Sequence, residues 1–289
     1  MKSFQILCFS IFFCFSFSIF AQSKEVTIKT TQLTENVYML EGQGGNIGVS
    51  VGDDGVLMID SQFGRLTPKI LDAIKQLSDK DITFLANTHH HGDHTGGNAN
   101  VSKLGTHIIA HDNVYERIKA NERQSEDYLP VITFNDKMNI HFNGEAILVF
   151  HVENAHTNGD AMLYFTESNV LHTGDTYFNG RYPYIDLKSG GSVDGYINAI
   201  KKALIVIDDD TKIIPGHGSL SNKKEYLTFL DMMEYLRQNV QTEISSGKTE
   251  EEIIANESLT KTYDDLDYGC CFISSERIRK IFYISLKQE

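Results

Sequence analysis

Short apolar runs bounded by turn signals dominate the chain after residue 36. Val37-Tyr38-Met39-Leu40 reads as a strand that runs into Gly42-Gln43-Gly44-Gly45-Asn46. Residues 47–51 and 56–59 read as two more strands joined through Asp53-Asp54-Gly55, a tight-turn signal, and Asp60 ends the second. Ile70, Ile74 and Leu77 recur at helical spacing over 67–77. Ile82 to Ala86 is a short apolar strand that delivers the chain to Asn87-Thr88-His89. A helix over 98–104, a strand over 107–110 and a helix over 113–122 follow. Residues 138–142 and 146–152 flank Asn143-Gly144, a strong hairpin pair, and 162–166 and 170–173 flank another polar turn. Ile197, Ile200, Leu204 and Ile207 share one face of a helix over 193–207. A short strand at 212–215 precedes a pattern that is helical from Lys223 onward, broken near Gly247 and again over 264–269. Strands alternating with helices, together with antiparallel hairpins, predict an α/β protein. The expected architecture is an αββα sandwich, two mixed β-sheets flanked by helices, with a short helical C-terminal extension.

The first residues stand apart from this pattern. After Met1-Lys2, residues 4–21 are almost free of charge and rich in Phe, Ile, Leu, Cys and Ser. A positive start, an apolar stretch and a small residue at Ala21 predict a secretory signal peptide over 1–21, with a retained membrane anchor as the alternative. The expected division is therefore signal 1–21, catalytic domain 22–220 and a C-terminal helical segment 221–289 packing on the same domain. The protein is expected to be exported, periplasmic or secreted, without stable membrane association once the signal is cleaved.

Composition adds limits rather than detail. The 289 residues carry 26 Lys and Arg against 39 Asp and Glu, net −13. Loss of 1–21 removes one base, Lys2, and makes it −14. That acidity argues against a nucleic-acid partner, because phosphate neutralisation needs clustered bases. Two of the four Cys leave with the signal; the remaining pair, Cys270-Cys271, is adjacent and reads as two small, partly buried thiols.

The histidines carry the chemistry. His89-His90-His91-Gly92-Asp93-His94 follows directly after the apolar strand 82–86, at a strand end where α/β folds place sites. His89 and His91 point the same way if the backbone stays extended, and Gly92 permits a sharp turn that presents Asp93 and His94 beside them. Neutral imidazole and carboxylate suit Zn²⁺. Packed together without a metal, these groups would repel when protonated or bury unsatisfied nitrogens.

His-x-His-x-Asp-His resembles the signature of the metallo-β-lactamase superfamily. Further residues match in order over roughly 33–220: Asp60 at a strand end, His156 in Ala155-His156-Thr157-Asn158-Gly159-Asp160, Asp175 in Thr173-Gly174-Asp175-Thr176, and His217 in Pro215-Gly216-His217-Gly218. The resemblance implies two Zn²⁺ per chain. His89, His91 and His156 would hold one, Asp93, His94 and His217 the other, and Asp175 would bridge them. Asp60 would orient a ligand His through its other ring nitrogen. His172 is expected either to support the site by hydrogen bonding or simply to pack. His90, His107, His111, His141 and His151 are expected to be non-ligands.

The two ions would share a water and lower its pKa toward about 7, so that hydroxide attacks an ester, thioester, lactone or β-lactam carbonyl of a small molecule. Asp93 is the expected catalytic residue, orienting the nucleophile and passing its proton. Arg181 and Tyr182, in the segment directly after Asp175, are expected to contact substrate, with a salt bridge as the alternative for Arg181. Gly42 to Asn46 is a candidate mobile flap. An Asp at 175 pulls the expectation away from dedicated lactam cleavage. The competing activities are a glyoxalase-II-like thioesterase, an iron-dependent redox or sulfur-oxidising relative, and a nuclease, which the acidity opposes.

Overall fold

The computed structural model describes residues 25–287. The expected signal, 1–21, lies outside them. Among the described residues no helix is long and apolar enough to cross a membrane.

Seven strands form the first sheet in chain order: β1 (Lys29–Gln32), β2 (Val37–Glu41), β3 (Ile47–Gly52), β4 (Gly55–Ile59), β5 (Ile82–Ala86), β6 (His107–His111) and β7 (Ile132–Phe134). β1 to β4 pair antiparallel through hairpins. β4 to β7 are parallel, and helices cross between them: α1 (Thr67–Lys75), α2 (Gly92–Thr95), α3 (Asn98–Ser102) and α4 (Asp112–Lys119). The second sheet holds β8 (Lys137–Phe142), β9 (Glu145–His151), β10 (Ala161–Phe165), β11 (Val170–His172), β12 (Lys212–Ile214) and β13 (Ser221–Asn222), with β8 at one edge and β13 at the other. Its one parallel pair, β11 with β12, is joined by α5 (Val193–Val206). Four helices follow: α6 (Lys223–Ser245), α7 (Glu250–Ala255), α8 (Lys261–Asp264) and α9 (Ser275–Lys287).

Period-two alternation sorts the side chains into layers. In β4, Leu57 and Ile59 face the second sheet, whereas Val56 and Met58 face α1. In β9, Ile147 and Val149 meet the first sheet, and Phe150 turns outward to α5, α6 and α9. Four layers result, helix, sheet, sheet, helix, as the sequence pattern predicts. Tyr226, Phe229, Met232, Met233 and Leu236 of α6 share one buried cluster with Tyr196 and Ile200 of α5 and Ile278 and Phe282 of α9.

Some local expectations change. β1, β7 and β13 have no strong apolar run and escape the sequence pattern. Cys270 and Cys271 are not free thiols: their sulfurs are paired as a vicinal disulfide, in a turn closed by Cys270 N donating to Asp267 O at 3.2 Å.

Candidate metal centre

The histidines expected as ligands all follow strand ends and converge at one end of the sandwich. β5 ends at Ala86; the chain bends over residues 88–90 rather than staying extended, returns to an extended backbone at His91 (φ −66°, ψ 149°), and still brings His89 and His91 into one group. α2 then begins, and its first turn presents Asp93 and His94. Gly92 is not needed for this turn: its φ is not positive and a Cβ there would meet open space. His156 comes from the β9–β10 turn, Asp175 follows β11, and His217 follows β12.

Three sets of potential ligand atoms come together. His89, His91, His156 and Asp175 form one; Asp93, His94 and His217 form another. A third, His90 with His91 and Asp186, shares His91 with the first. Asp175 lies between the first two. Its Oδ2 is 3.5 Å from His156 Nε2 and 3.8 Å from His89 Nε2, while its Oδ1 is 3.0 Å from His94 Nε2 and 3.4 Å from His217 Nε2. Asp93 Oδ2 is 3.4 Å from His217 Nε2. His89 Nε2, His94 Nε2 and Asp175 Oδ1 are buried with no hydrogen-bond partner. Buried polar atoms without partners are costly. Atoms of this chemistry converging on common points fit a divalent cation.

Supporting groups fix the rings. Asp60 is fully buried, and its left-handed backbone (φ 63°), which Asp tolerates better than most residues, turns its carboxylate inward from the end of β4. Oδ1 accepts Thr88 N at 2.8 Å; Oδ2 accepts Thr88 Oγ1 at 2.7 Å and His94 Nδ1 at 2.7 Å. Since Thr88 Oγ1 donates to Asp60, it is left to accept from His89 Nδ1 at 3.0 Å. One carboxylate thus orients two imidazoles so that both Nε2 atoms face the site. His156 Nδ1 donates to Tyr184 O at 2.7 Å. The Phe178 ring lies against His217 at 5.0 Å between centroids. His172 is fully buried; its Nε2 meets Asn46 O at 3.2 Å and its Nδ1 accepts Gly174 N at 3.1 Å, just before Asp175. His111 caps α4 and stacks on His151, while His107 and His141 are exposed.

Electrostatics divide the two sets. Burial holds His89 well below the usual imidazole range and His156 down at about 4, so both rings are neutral at neutral pH. Burial also opposes charge on His94 and His217, but Asp175 outweighs it, with Asp60 for His94 and Asp93 for His217. His94 is raised well above its ordinary value and His217 to about 9. Burial likewise opposes charge on Asp175, and these two imidazoles hold it well below the carboxylate range. In the metal-free protein, protons supply part of the positive charge that the carboxylates demand.

A cavity of about 660 Å³ opens over these groups. His91, Gly92, Asp93, Asp175 and His217 form its floor, and Phe63, Phe178, Tyr182, Tyr184, Phe272 and Ile273 its wall. Arg181 lines it too, and no carboxylate among the described residues pairs with it. Tyr182 offers only its ring, because its hydroxyl is turned to Asp264 at 2.7 Å and Thr260 O at 3.2 Å. Gly42 to Asn46 is tied down rather than free to flap. Gly45 N donates to Asp93 O at 3.1 Å, Gln62 Nε2 donates to Gly45 O at 2.6 Å, and a Cβ on Gly45 would collide with the His94 ring. These glycines allow close approach rather than hinging.

The sequence did not point to Thr88, Gln62 or Asp186. Asp186 Oδ2 lies 3.0 Å from His91 Nε2 and leaves Nδ1 facing His156 Nε2 at 2.8 Å. Only an acid shortly after the Tyr182–Tyr184 segment hinted at it.

Comparison with known proteins agrees with this geometry. The model of the metallo-beta-lactamase superfamily matches residues 40–217. A hydroxyacylglutathione hydrolase of Polaromonas sp. is 30% identical over 152 residues, 50% of this chain and 52% of its own, so the match spans about half of that relative. A metallo-beta-lactamase type 2 of Bacillus sp. is 23% identical over 72% of this chain and 82% of its own. Among solved structures, a metallo-beta-lactamase from Pontibacter korlensis has a TM-score of 0.64 at 16% identity, covering 72% of this chain and 99% of that one. The sec-alkylsulfatase Pisa1 from Pseudomonas sp. reaches 0.70 at 17% identity, covering 89% of this chain and 50% of that one. With the family model spanning more than half of its residues and the fold shared with solved members, the chain belongs to the metallo-beta-lactamase superfamily.

Proposed function

We propose that the chain is an exported hydrolase that holds two divalent metal ions, Zn²⁺ by preference, and cleaves an ester, thioester, lactone or β-lactam bond in a small molecule. One observation carries the reading: the two oxygens of Asp175 face two different ligand sets, each containing a buried imidazole nitrogen that has no hydrogen-bond partner. Bound there, divalent ions would supply Lewis acidity toward a water and toward the scissile bond. The chain's own residues supply the remainder. The Asp93 carboxylate is partly exposed on the cavity floor, where it orients a nucleophilic water and takes its proton. Asp60 and Thr88 hold His94 and His89 in one tautomer. The aromatic wall sheds water around the reacting bond. Export rests on the uncharged apolar run at 4–21, which lies outside the described residues.

A thioesterase is the second reading, supported by the identity with hydroxyacylglutathione hydrolases over half their length. Metal analysis of purified protein, with hydrolysis of lactams, lactones, esters and thioesters measured with and without chelator, tests both. Chelator-sensitive turnover that vanishes in Asp93→Ala and His91→Ala is the expected result. Full activity in either variant with metal still bound overturns the assignment, and iron without any hydrolysis favours redox chemistry.

A further inference from the structure

Part of the cavity wall comes from outside the family-matched residues. Phe272 and Ile273 belong to the loop between α8 and α9, beyond residue 217. Ile273 is buried, whereas Phe272 is 69% exposed. The Phe272 ring meets Tyr184 edge-on, with centroids 5.6 Å apart, and the Arg277 guanidinium covers both rings at 4.5 and 5.2 Å. The loop is held in place. Tyr182 N donates to Tyr268 O at 3.0 Å, and Ser275 Oγ and the Tyr182 hydroxyl both donate to Asp264 Oδ1. With Arg277 on one side and 69% of Phe272 still exposed, an apolar group in the cavity would gain from covering the rest of the ring.

Arg181 supplies the opposite chemistry. Its Nε is buried with no hydrogen-bond partner, and its guanidinium makes no ion pair among the described residues. The two acids of the cavity, Asp93 and Asp175, face His94 and His217 instead. A guanidinium in a largely apolar cavity gains most from an oxyanion, which it can bind through two parallel hydrogen bonds.

We propose that the cavity takes an amphipathic anion: an aryl or alkyl group against Phe272, Ile273 and Tyr184, and one oxyanion on Arg181. The C-terminal loop is then the specificity element. A hydrophilic peptide thioester would leave its wall uncovered. The proposal deepens the hydrolase reading and rests on it for chemistry, but not for binding.

Fluorescence titration with 1-anilinonaphthalene-8-sulfonate, an aromatic anion, and N-phenyl-1-naphthylamine, its neutral counterpart, tests it without turnover. Both are titrated into the metal-loaded and the chelated protein. One saturable sulfonate site per chain is expected. Arg181→Ala should weaken the sulfonate roughly tenfold or more and the neutral probe less than about twofold. Phe272→Ala, at a position 69% exposed where little packing is lost, should weaken both at least about threefold. Unchanged sulfonate affinity in Arg181→Ala, or no saturable site, overturns the proposal. So does sulfonate binding that survives Arg181→Ala only while metal is present, because the ions would then hold the anion. The expected probe pattern without hydrolysis of any substrate would sink the hydrolase reading and leave the binding site standing.

Discussion

Replacing Asp60 by Asn tests the internal logic of the metal centre without touching a ligand. The carboxylate takes three donors: Thr88 N, Thr88 Oγ1 and His94 Nδ1. An amide has one acceptor oxygen. In its best orientation that oxygen keeps Thr88 Oγ1 and His94 Nδ1, and the amide NH₂ is forced against Thr88 N–H. One buried donor is left facing another donor, at a cost of about 2 kcal/mol. In a domain of this size that lowers Tm by about 4–8 °C. The loss of negative charge acts on the metal as well. Asp60 makes the His94 ring a better donor, and removing such a carboxylate typically weakens metal affinity about 10–100-fold. Competition against a chromophoric chelator, with a thermal melt of the loaded protein, reads both effects. The ion held by Asp93, His94 and His217 should be the one that weakens. Affinity within about threefold of the parent and an unchanged Tm would refute the claim that Asp60 sets the orientation of His94.

Three further outcomes follow from the same geometry. Metal binding at neutral pH should release protons, because His94 is raised well above its ordinary value and His217 to about 9 in the metal-free protein. Calorimetry in buffers of different ionisation enthalpy should show affinity rising with pH up to about 9, and no proton release at pH 7 would contradict it. Gly45→Ala places a methyl in the His94 ring, so it should lose the ion bound by His94 or fail to accumulate as folded protein, read by metal content and soluble yield. Asp160 is buried and raised from 3.8 to about 7 by that burial, although Thr157 N and Oγ1 both donate to it. The folded state keeps this proton after the unfolded chain has lost it, so stability should decline from about pH 4 to about pH 7 and then level off. Urea denaturation should show a shallower decline in Asp160→Asn; an identical slope would show that the group ionises normally.

The parts of the site legible in the sequence share one property: the local pattern reveals them. His89, His91, Asp93 and His94 follow an apolar strand within eight residues. His156, Asp175 and His217 each sit in a Gly-containing turn beside another apolar run. The strands that escaped the reading, such as β1 and β7, are mostly exposed edge strands, with no buried face to impose a pattern. Other supporting contacts escaped for a different reason. Asp186 meets His91 across 95 positions, and Asn46, the partner of the expected His172, lies 126 positions from it. Such contacts exist only once the two sheets have packed, and nothing in the neighbouring residues marks them. Gly45 shows how a correct composition yields a wrong role. Glycine permits either a hinge or a close approach, and only the position of the His94 ring decides between them.

The C-terminal segment reaches the metal centre through the core, which makes its removal informative. Tyr196 of α5 donates from its hydroxyl to Asp175 O at 2.8 Å. Ser285 of α9 accepts Val193 N at 2.9 Å at the start of α5. Between them, Ile278, Ile281, Phe282 and Leu286 of α9 are buried in the cluster that also contains Tyr196. Exposing four such side chains forfeits about 6–12 kcal/mol, at about 1.5–3 kcal/mol each. That is comparable to the whole stability of a typical domain, about 5–15 kcal/mol. A chain ending at residue 220 also loses Phe229, Met232, Met233 and Leu236 of α6 from the same cluster. It should therefore not accumulate as a folded protein, although it retains every proposed ligand. Soluble expression and near-ultraviolet circular dichroism of a 22–220 chain check this. A soluble 22–220 protein with a cooperative melt and bound metal would show that α5 and Asp175 stand without the C-terminal helices.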